Sequence, residues 1–185
     1  MLATPVPDLM FVREVITKAE ETALLAAFAD MPVVVPPYDP GNDRASVSFG
    51  WKYDHPGDTF VPCAPIPDCM APLCSVVAAA TGIATPRFAE ALVNRYGPGA
   101  IIQPHFDKPL WHHVIGVSLG CDTVMHFDRP DEPGVIADVP LPRRSLYVLQ
   151  GAALKQWRHA LPPCAGTRWS VTFRTFNEAG LRLRD

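Results

Sequence analysis

Two side chains that can bind a metal lie two positions apart in the segment His105-Phe106-Asp107. Successive side chains of a strand alternate between its faces, so these two would point the same way. A third candidate ligand, His159, lies 52 residues beyond Asp107. Two histidines and one carboxylate leave coordination positions open on Fe(II), so we expect His105, Asp107 and His159 to form one iron site. The alternative is that the short HxD pattern arose by chance and that its histidine is structural.

A second segment combines arginines with a period of two. Alternation on a strand predicts one polar face, which holds Arg168, Ser170, Thr172 and Arg174. Arginine suits a bidentate grip on a carboxylate, and two arginines facing one pocket are costly unless a dianion lies between them. 2-Oxoglutarate is such a dianion. The simpler alternative is an amphipathic strand whose arginines face solvent.

The segment Asn94-Arg95-Tyr96 repeats this alternation, so Asn94 and Tyr96 would share a face. An amide and a phenol could complete the hydrogen bonding of a bound dicarboxylate. A turn at residues 97–99, Gly-Pro-Gly, then returns the chain towards the first histidine ligand. Four further histidines are not expected to bind the metal: His55, His112, His113 and His126.

Apolar residues with helical spacing predict two helices in the first half of the chain. The first begins near Lys18, where Thr17 and Glu20 fit a capping box, and it ends before Pro32. The second spans Pro67–Thr81 and is rich in Ala, Leu and Val. These helices are expected to support a core that the second half of the chain supplies.

The remaining elements are predicted to be strands and a lid. A short strand is expected at Leu9–Val12, and Pro36–Pro62, with a strand-like stretch at Arg44–Tyr53, is interpreted as a functional loop or lid rather than core. After residue 89, short β runs alternate with Pro and Gly. We expect strands at Ala91–Tyr96, Ile101–Phe106, His113–Leu119, Thr123–Asp128, Ser145–Gln150 and Arg168–Phe176.

Length and composition favour one domain. The chain has 185 residues with 48% hydrophobic and 19% charged residues, which suffices for a real core. Its 21 prolines are too many for a helical bundle. We therefore expect a single domain over 1–185, mainly β with flanking helices, built as a β-sandwich or barrel. Residues 1–90 would supply supporting helices and the lid, and residues 91–176 the β core.

Charge, hydropathy and cysteines exclude several classes. A net charge of −3 rules out a globally basic nucleic-acid binder, although from residue 141 onward Lys and Arg outnumber Asp and Glu by 8 to 2. No targeting segment is evident and no apolar run approaches the roughly 18 residues of a membrane span, so a cytoplasmic protein is expected. Five cysteines without CxxC pairs favour neither a disulfide framework nor structural zinc.

Six segments together resemble the AlkB family of Fe(II)/2-oxoglutarate-dependent dioxygenases. They keep the family's order and spacing, and they read NRYGPG (94–99), HFD (105–107), IGVSLG (115–120), PRRSLYVLQG (142–151), WRHAL (157–161) and RWSVTFR (168–174). Weaker similarity extends upstream, so the resemblance covers nearly the whole chain. The pattern looks closest to the branch that includes the tRNA wobble-uridine oxygenase.

The resemblance implies a double-stranded β-helix, or jelly roll, with N-terminal helices and a substrate lid. It also implies Fe(II), 2-oxoglutarate and O2 as cofactor and co-substrates. Arg168 would hold the distal carboxylate of 2-oxoglutarate together with Asn94, Tyr96 and Ser170. Arg174 would approach the carboxylate that chelates the metal.

The implied reaction is oxidative demethylation or hydroxylation of N-alkylated or modified bases in DNA or RNA, by a monomer acting on single-stranded or flipped-base nucleic acid. Candidate contacts for the base are the aromatic residues Phe49, Trp51, Tyr53 and Trp111. Pro109 stands where DNA-repair members carry a second acidic residue, and the chain has no RNA-recognition or methyltransferase module. Two alternatives stay open: an oxygenase of a protein side chain or small molecule, and a sensor that binds without turnover.

Overall fold

The computed structural model describes residues 4–36 and 41–184 and is built mainly of strands. The strands are β1 (Met10–Val12), β2 (Arg44–Asp54), β3 (Thr59–Pro62), β4 (Glu90–Tyr96), β5 (Ile102–His105), β6 (Trp111–Leu119), β7 (Thr123–Asp128), β8 (Ile136–Leu141), β9 (Leu146–Leu149), β10 (Arg158–Leu161) and β11 (Arg168–Phe176). The helices are α1 (Lys18–Ala29), α2 (Ala71–Thr81), α3 (Gly151–Lys155) and α4 (Glu178–Arg184), with 3-10 turns at Asp68–Met70 and Thr85–Arg87.

The strands form two antiparallel sheets. The larger sheet has the order β1-β9-β6-β11-β4-β2-β3, and the smaller has the order β5-β10-β7-β8. Side chains from both sheets share one buried cluster, so the sheets pack face to face. This arrangement is the jelly roll that the sequence resemblance implied.

Strand β11 lies inside the larger sheet and divides the interior into two parts. Its apolar side chains Val171 and Phe173 are fully buried against a cluster that includes residues of α1 and α2. Its alternate residues, from Arg168 to Arg174, lie on the face towards the smaller sheet. The predicted alternation is therefore confirmed, and the polar face points into the space between the sheets.

Helix α1 begins at Lys18 and ends at Ala29, as predicted, and its start is fixed by the capping box. The Thr17 hydroxyl accepts from the Glu20 backbone N–H, and the Glu20 carboxylate accepts from the Thr17 backbone N–H at 2.7 Å. Helix α2 starts at Ala71, four residues later than expected, because Asp68–Met70 forms a 3-10 turn. It ends as expected, with Gly82 in the left-handed region.

The predicted lid needs correction, because more than half of it forms two strands of the larger sheet, β2 and β3, while residues 37–40 of it lie outside the described residues. Strand β2 pairs with β4 from Arg44 opposite Tyr96 to Gly50 opposite Glu90. Beyond Gly50 the chain bends and pairs with β3 at the sheet edge. Gly50 has φ +81°, and a Cβ there would lie 2.4 Å from the Ala89 carbonyl oxygen, so the bend needs glycine. The described part of residues 1–90 thus contributes β1, β2 and β3 as well as helices.

Other expectations concern cysteines and membrane spans. All five cysteines are free, as the sequence indicated. Within residues 4–36 and 41–184, no helix is long and apolar enough to cross a membrane. Three strands were not anticipated, β3, β8 and β10, and the last of these carries His159.

Candidate active site

Strand pairing brings the three predicted metal ligands together. His105 ends β5 and lies opposite His159 of β10, while Asp107 follows two residues after β5. The ligand atoms of the three residues all lie within 4.8 Å of one another. The two imidazole centroids are 4.3 Å apart. In the described part of the chain this is the one cluster of three or more such side chains that could hold a metal.

The protonation of these residues suits a divalent metal. The Gln103 carbonyl oxygen lies 2.9 Å from Nδ1 of His105 and can accept its N–H, which leaves Nε2 free for a metal. Nε2 of His159 lies 3.4 Å from Oδ2 of Asp107. Burial lowers the pKa of His159 to about 4, so its ring is neutral at pH 7. Burial acts to raise the pKa of Asp107, but the charges of Arg174 and the two histidines and the hydrogen bond from Arg174 together outweigh it, so the pKa lies below its ordinary value.

Arg174 is held between two carboxylates. Its Nη2 donates to Oδ1 of Asp107 at 2.9 Å and its Nη1 donates to Oε2 of Glu90 at 2.8 Å. Oε1 of Glu90 accepts from the Ser48 hydroxyl at 2.9 Å. Burial acts to lower the pKa of Arg174, but the two carboxylates raise it above its ordinary value. Arg174 therefore orients the carboxylate of a metal ligand, and only its Nε, buried without a partner, is left for another group.

Arg168 is buried against Tyr96, which lines the same cavity as His105 and His159, with part of its guanidinium unsatisfied. It is 1% exposed, its Nε donates to the Ser118 hydroxyl at 3.1 Å, and its Cζ lies 5.0 Å from the Tyr96 ring centroid. Nη1 and Nη2 have no partner in the structure. Buried N–H groups without acceptors are costly, so this edge fits a carboxylate supplied by a ligand. Asn94 and Ser170, each 2% exposed, lie opposite one another on β4 and β11.

Arg44 belongs to the same cavity, which sequence reasoning did not foresee. Its Nη2 donates to Oδ1 of Asn94 at 3.0 Å, and its Nε is buried without a partner. One cavity, called the triad cavity below, joins the two histidines of the triad to Arg44 and Arg174, and its polar lining consists of Arg44, Asn94, Tyr96, His105, Tyr147, His159, Thr172 and Arg174.

Glu90 was also missed. Its role depends on β4 alternation that places Glu90 on the same face as Asn94 and Tyr96. That periodicity is visible in the sequence, and it was the signal that could have identified this carboxylate.

The four aromatic residues proposed to contact a base lie elsewhere. Phe49 is 9% exposed and packs on the helix side of the larger sheet, so its ring does not face the triad. Trp111 is 4% exposed and stacks on Phe176 with centroids 5.2 Å apart. Phe49 and Trp111 therefore belong to the core and not to a base-contacting surface, because each ring is covered by apolar neighbours.

The other two aromatic residues are partly exposed. Tyr53 packs edge-on against Phe60, and the Lys108 ammonium lies 4.0 Å from its ring centroid. Trp51 lies beside Phe176 and borders an open groove of about 430 Å³ that also includes Arg87 and Arg184. Of the described residues that line the triad cavity, none is Phe49, Trp51, Tyr53 or Trp111.

The two-sheet fold with a His-Asp-His cluster and a buried arginine against the cavity wall is typical of an iron oxygenase. Residues 39–174 match the family described as the 2OG-Fe(II) oxygenase superfamily, and the chain belongs to that superfamily. The family implies Fe(II), 2-oxoglutarate and O2. The unsatisfied Arg168 edge and the triad fit those groups.

Curated relatives are of the AlkB type. The chain is 30% identical over 170 residues to mouse tRNA (carboxymethyluridine(34)-5-O)-methyltransferase ALKBH8, covering 85% of this chain and 24% of that protein. It is 25% identical to the zebrafish probable RNA/DNA demethylase ALKBH6, covering 84% and 69%. It is 28% identical to the Salmonella typhimurium alpha-ketoglutarate-dependent dioxygenase AlkB, covering 69% and 67%. The chain thus spans about a quarter of the ALKBH8 relative.

Solved structures share the fold. The structure of OsALKBH1 aligns with a TM-score of 0.71 at 15% identity, covering 91% of this chain and 98% of that chain. A prolyl hydroxylase from Trichoplax adhaerens, in complex with a hypoxia inducible factor peptide fragment, aligns with a TM-score of 0.67 at 12% identity, covering 96% and 87%. At these identities the similarity shows the jelly-roll fold.

Proposed function

We propose that this protein is an Fe(II)/2-oxoglutarate-dependent dioxygenase that demethylates or hydroxylates N-alkylated or otherwise modified bases in DNA or RNA. The observation that carries the dioxygenase part is the buried, unsatisfied edge of the Arg168 guanidinium, whose Cζ lies 5.0 Å from the ring centroid of Tyr96 in the wall of the cavity that holds His105 and His159. A dicarboxylate could satisfy that edge at one end and reach a metal at the other. The names of the AlkB-type relatives support a nucleic-acid substrate.

The residues of the site have separate tasks in this proposal. His105, Asp107 and His159 would hold the iron, and Arg168, with Asn94 and Tyr96 beside it, would hold the distal carboxylate of 2-oxoglutarate. When bound, Fe(II), 2-oxoglutarate and O2 supply oxidation of a C–H bond, and a hydroxylated N-methyl group then leaves as formaldehyde. The protein contributes binding and orientation.

Arg174 and Glu90 position the metal ligand. Arg174 fixes the Asp107 carboxylate through a bond of 2.9 Å, and Glu90 balances the second edge of the same guanidinium. Asp107 has a side-chain exposure of only 7%, so water is largely excluded around it. A ligand held in one rotamer by its neighbours keeps the metal geometry fixed.

The substrate surface is proposed to be the groove beside Trp51. An indole face suits stacking of a base, and the guanidinium of Arg184 lies 5.7 Å from the Trp51 ring centroid. Arg87 borders the same groove and is exposed. Aromatic and cationic groups together suit single-stranded nucleic acid, whose bases stack while its phosphates attract cations. A monomeric, cytoplasmic enzyme is part of the proposal.

The test is a mass-spectrometric screen of the purified protein with Fe(II), 2-oxoglutarate and methylated oligonucleotides. Trp51→Ala should lose oligonucleotide turnover yet keep 2-oxoglutarate decarboxylation, because Trp51 lies outside the triad cavity. A matched control is Ile136→Ala, which removes an apolar side chain that is 75% exposed on β8. Oxidation of a peptide or metabolite, with no oligonucleotide converted, would replace the nucleic-acid substrate with the protein or small-molecule alternative.

A further inference from the structure

Tyr147 on β9 turns its side chain towards the cavity of the triad. It is 7% exposed and lines that cavity together with His159, Thr172 and Arg174. In the larger sheet Tyr147 lies opposite Gly116 of β6, and Gly116 lies opposite Thr172 of β11. The three positions therefore form one row across the sheet on the face that carries the arginines.

Gly116 makes room for the ring of Tyr147. A Cβ at residue 116 would lie 2.1 Å from Cζ of Tyr147 and 2.3 Å from its hydroxyl oxygen. The ring therefore lies across β6, directly over residue 116. The φ angle of Gly116 is outside the left-handed region, so the requirement is for space rather than for backbone freedom. Any larger residue at 116 would displace the phenol.

The Tyr147 hydroxyl is a donor that no protein group uses. Burial raises the pKa of Tyr147 to about 12, so the phenol stays protonated at neutral pH. The charges of Arg168, Asp107 and Arg174 all act on it, which places it amid the groups of the site. Within residues 4–36 and 41–184 no hydrogen bond to this hydroxyl is formed. The hydroxyl is not one of the fully buried polar atoms that lack a partner, so it is open to the cavity, where a ligand oxygen can accept its hydrogen bond.

We propose that Tyr147 is a positioning residue for the co-substrate, donating a hydrogen bond from its hydroxyl to a carboxylate of 2-oxoglutarate, and that Gly116 is required because it leaves space for the phenol. The inference rests on the proposed function and deepens it. Arg168 would supply charge from β11, where it lies against Tyr96 of the cavity wall, whereas Tyr147 would reach the ligand from β9, two strands away in the same sheet. A hydrogen bond from the Tyr147 phenol thus holds the ligand from a second direction, which the Arg168 guanidinium alone does not do.

The first test compares Tyr147→Phe with wild type in 2-oxoglutarate binding. Calorimetric titration of the Mn(II)-loaded protein measures binding without turnover. The variant keeps the ring and loses only the donor, so the Kd for 2-oxoglutarate should rise about five- to tenfold. The Mn(II) affinity and the melting temperature should not change. An equal or lower Kd in Tyr147→Phe would overturn the role of the hydroxyl.

The second test uses Gly116→Ala in two backgrounds. Alone, it should displace the phenol and weaken 2-oxoglutarate binding at least as much as Tyr147→Phe does. In Tyr147→Leu, where no ring covers residue 116, the same change should alter the Kd by less than about twofold. Equal losses of 2-oxoglutarate affinity in both backgrounds would refute the spatial pairing of Gly116 with Tyr147. Circular dichroism gives the folded fraction of each variant, so the affinities are compared per folded molecule even where a variant is less stable.

The two levels of the proposal fail in different ways. If Mn(II)-loaded wild type binds no 2-oxoglutarate, the proposed function fails and the role of Tyr147 fails with it. If wild type binds and Tyr147→Phe binds equally well, only the role of Tyr147 is lost.

Discussion

Glu21 on α1 and Asp107 beside β5 are both buried carboxylates held by arginine, but their surroundings are satisfied to different degrees. Oε1 of Glu21 accepts from the Gly120 backbone N–H at 2.9 Å, and Oε2 accepts from Arg143 at 2.8 Å and from Arg144 at 3.2 Å. No side-chain atom of these residues is buried without a partner. This network is closed, and it ties α1 to the turns that follow β6 and β8.

The network at Asp107 is open. Five buried side-chain nitrogens lack partners in the described chain, and they belong to Arg44, His159, Arg168 and Arg174. Three of these four residues line the triad cavity, and the guanidinium of Arg168 stacks on Tyr96, which also lines it. Because buried polar groups are normally paired, a cluster of unpaired ones indicates a site completed by ligands. The closed network at Glu21 stabilises the fold, whereas the open network at Asp107 is suited to bind the metal and the co-substrate.

The largest expected effect comes from removing a ligand of the open network. Asp107→Ala should weaken Fe(II) binding by more than about 100-fold, because even groups that only orient metal ligands contribute about 10- to 100-fold. Anaerobic metal titration measures the change. Asp138→Ala is the matched control, since Asp138 is an exposed carboxylate that pairs with His126 away from the site. Wild-type affinity in Asp107→Ala would contradict the iron site.

The closed network should behave in the opposite way. Glu21→Gln should reduce the free energy of unfolding by about 3 kcal/mol, because it leaves two arginines without their buried carboxylate. Urea unfolding measures this loss. The Kd for 2-oxoglutarate of the folded variant should stay at the wild-type value. Glu14→Gln, which removes an exposed partner of Arg144, should change stability by less than about 0.5 kcal/mol. A weaker 2-oxoglutarate affinity in Glu21→Gln would contradict the conclusion that the Glu21 network contributes to stability but not to binding.

Features that depend on local spacing were predictable from the sequence. The capping box at Thr17 and the alternation along β11 depend only on residues close together in the sequence, and both formed as expected. The pairing of His105 with His159 is long-range, yet the chemistry of the ligand set identified the residues without the register. The triad was therefore accessible to sequence reasoning although β10 was not.

Features that depend on the register between distant strands were not predictable. Arg44 reaches the cavity because β2 pairs with β4 inside the larger sheet, whereas its proline- and glycine-rich flanks indicated a lid. The same pairing buries Phe49 against the helices, so the expectation that it contacts a base was wrong. Strand β8 was missed because Pro140 interrupts its pattern, and this strand lies at a sheet edge, where proline is tolerated.

A smaller effect is expected at Arg168, the residue of the open network proposed to bind the distal carboxylate of 2-oxoglutarate. Arg168→Lys keeps the charge but loses the planar fork, so the apparent affinity for 2-oxoglutarate should fall at least tenfold, or roughly 1.4 kcal/mol. The Michaelis constant for 2-oxoglutarate checks this. Arg95→Lys is the matched control, because Arg95 pairs with the half-exposed Asp43 at 3.0 Å outside the cavity. An unchanged Michaelis constant in Arg168→Lys would assign that residue to the structure alone.

The smallest expected effect tests a buried polar group that belongs to neither network. His113 on β6 is 9% exposed, and its Nδ1 lies 2.9 Å from the Thr175 hydroxyl. Burial, and then the charges of His112 and Arg87, lower the pKa of His113 to about 4 from 6.5.

Since the folded pKa of His113 is depressed, the unfolded chain binds more protons between pH 6.5 and 4, and stability is lost as the pH falls through that window. From pH 6.5 to 5.5 this residue should contribute about 1 kcal/mol of that loss. His113→Gln removes the titrating group, so urea unfolding of the variant should show a loss smaller by that amount. His159 titrates equally in both proteins and cancels in the difference. Identical losses would mean that His113 is as accessible to protons in the folded protein as in the unfolded chain.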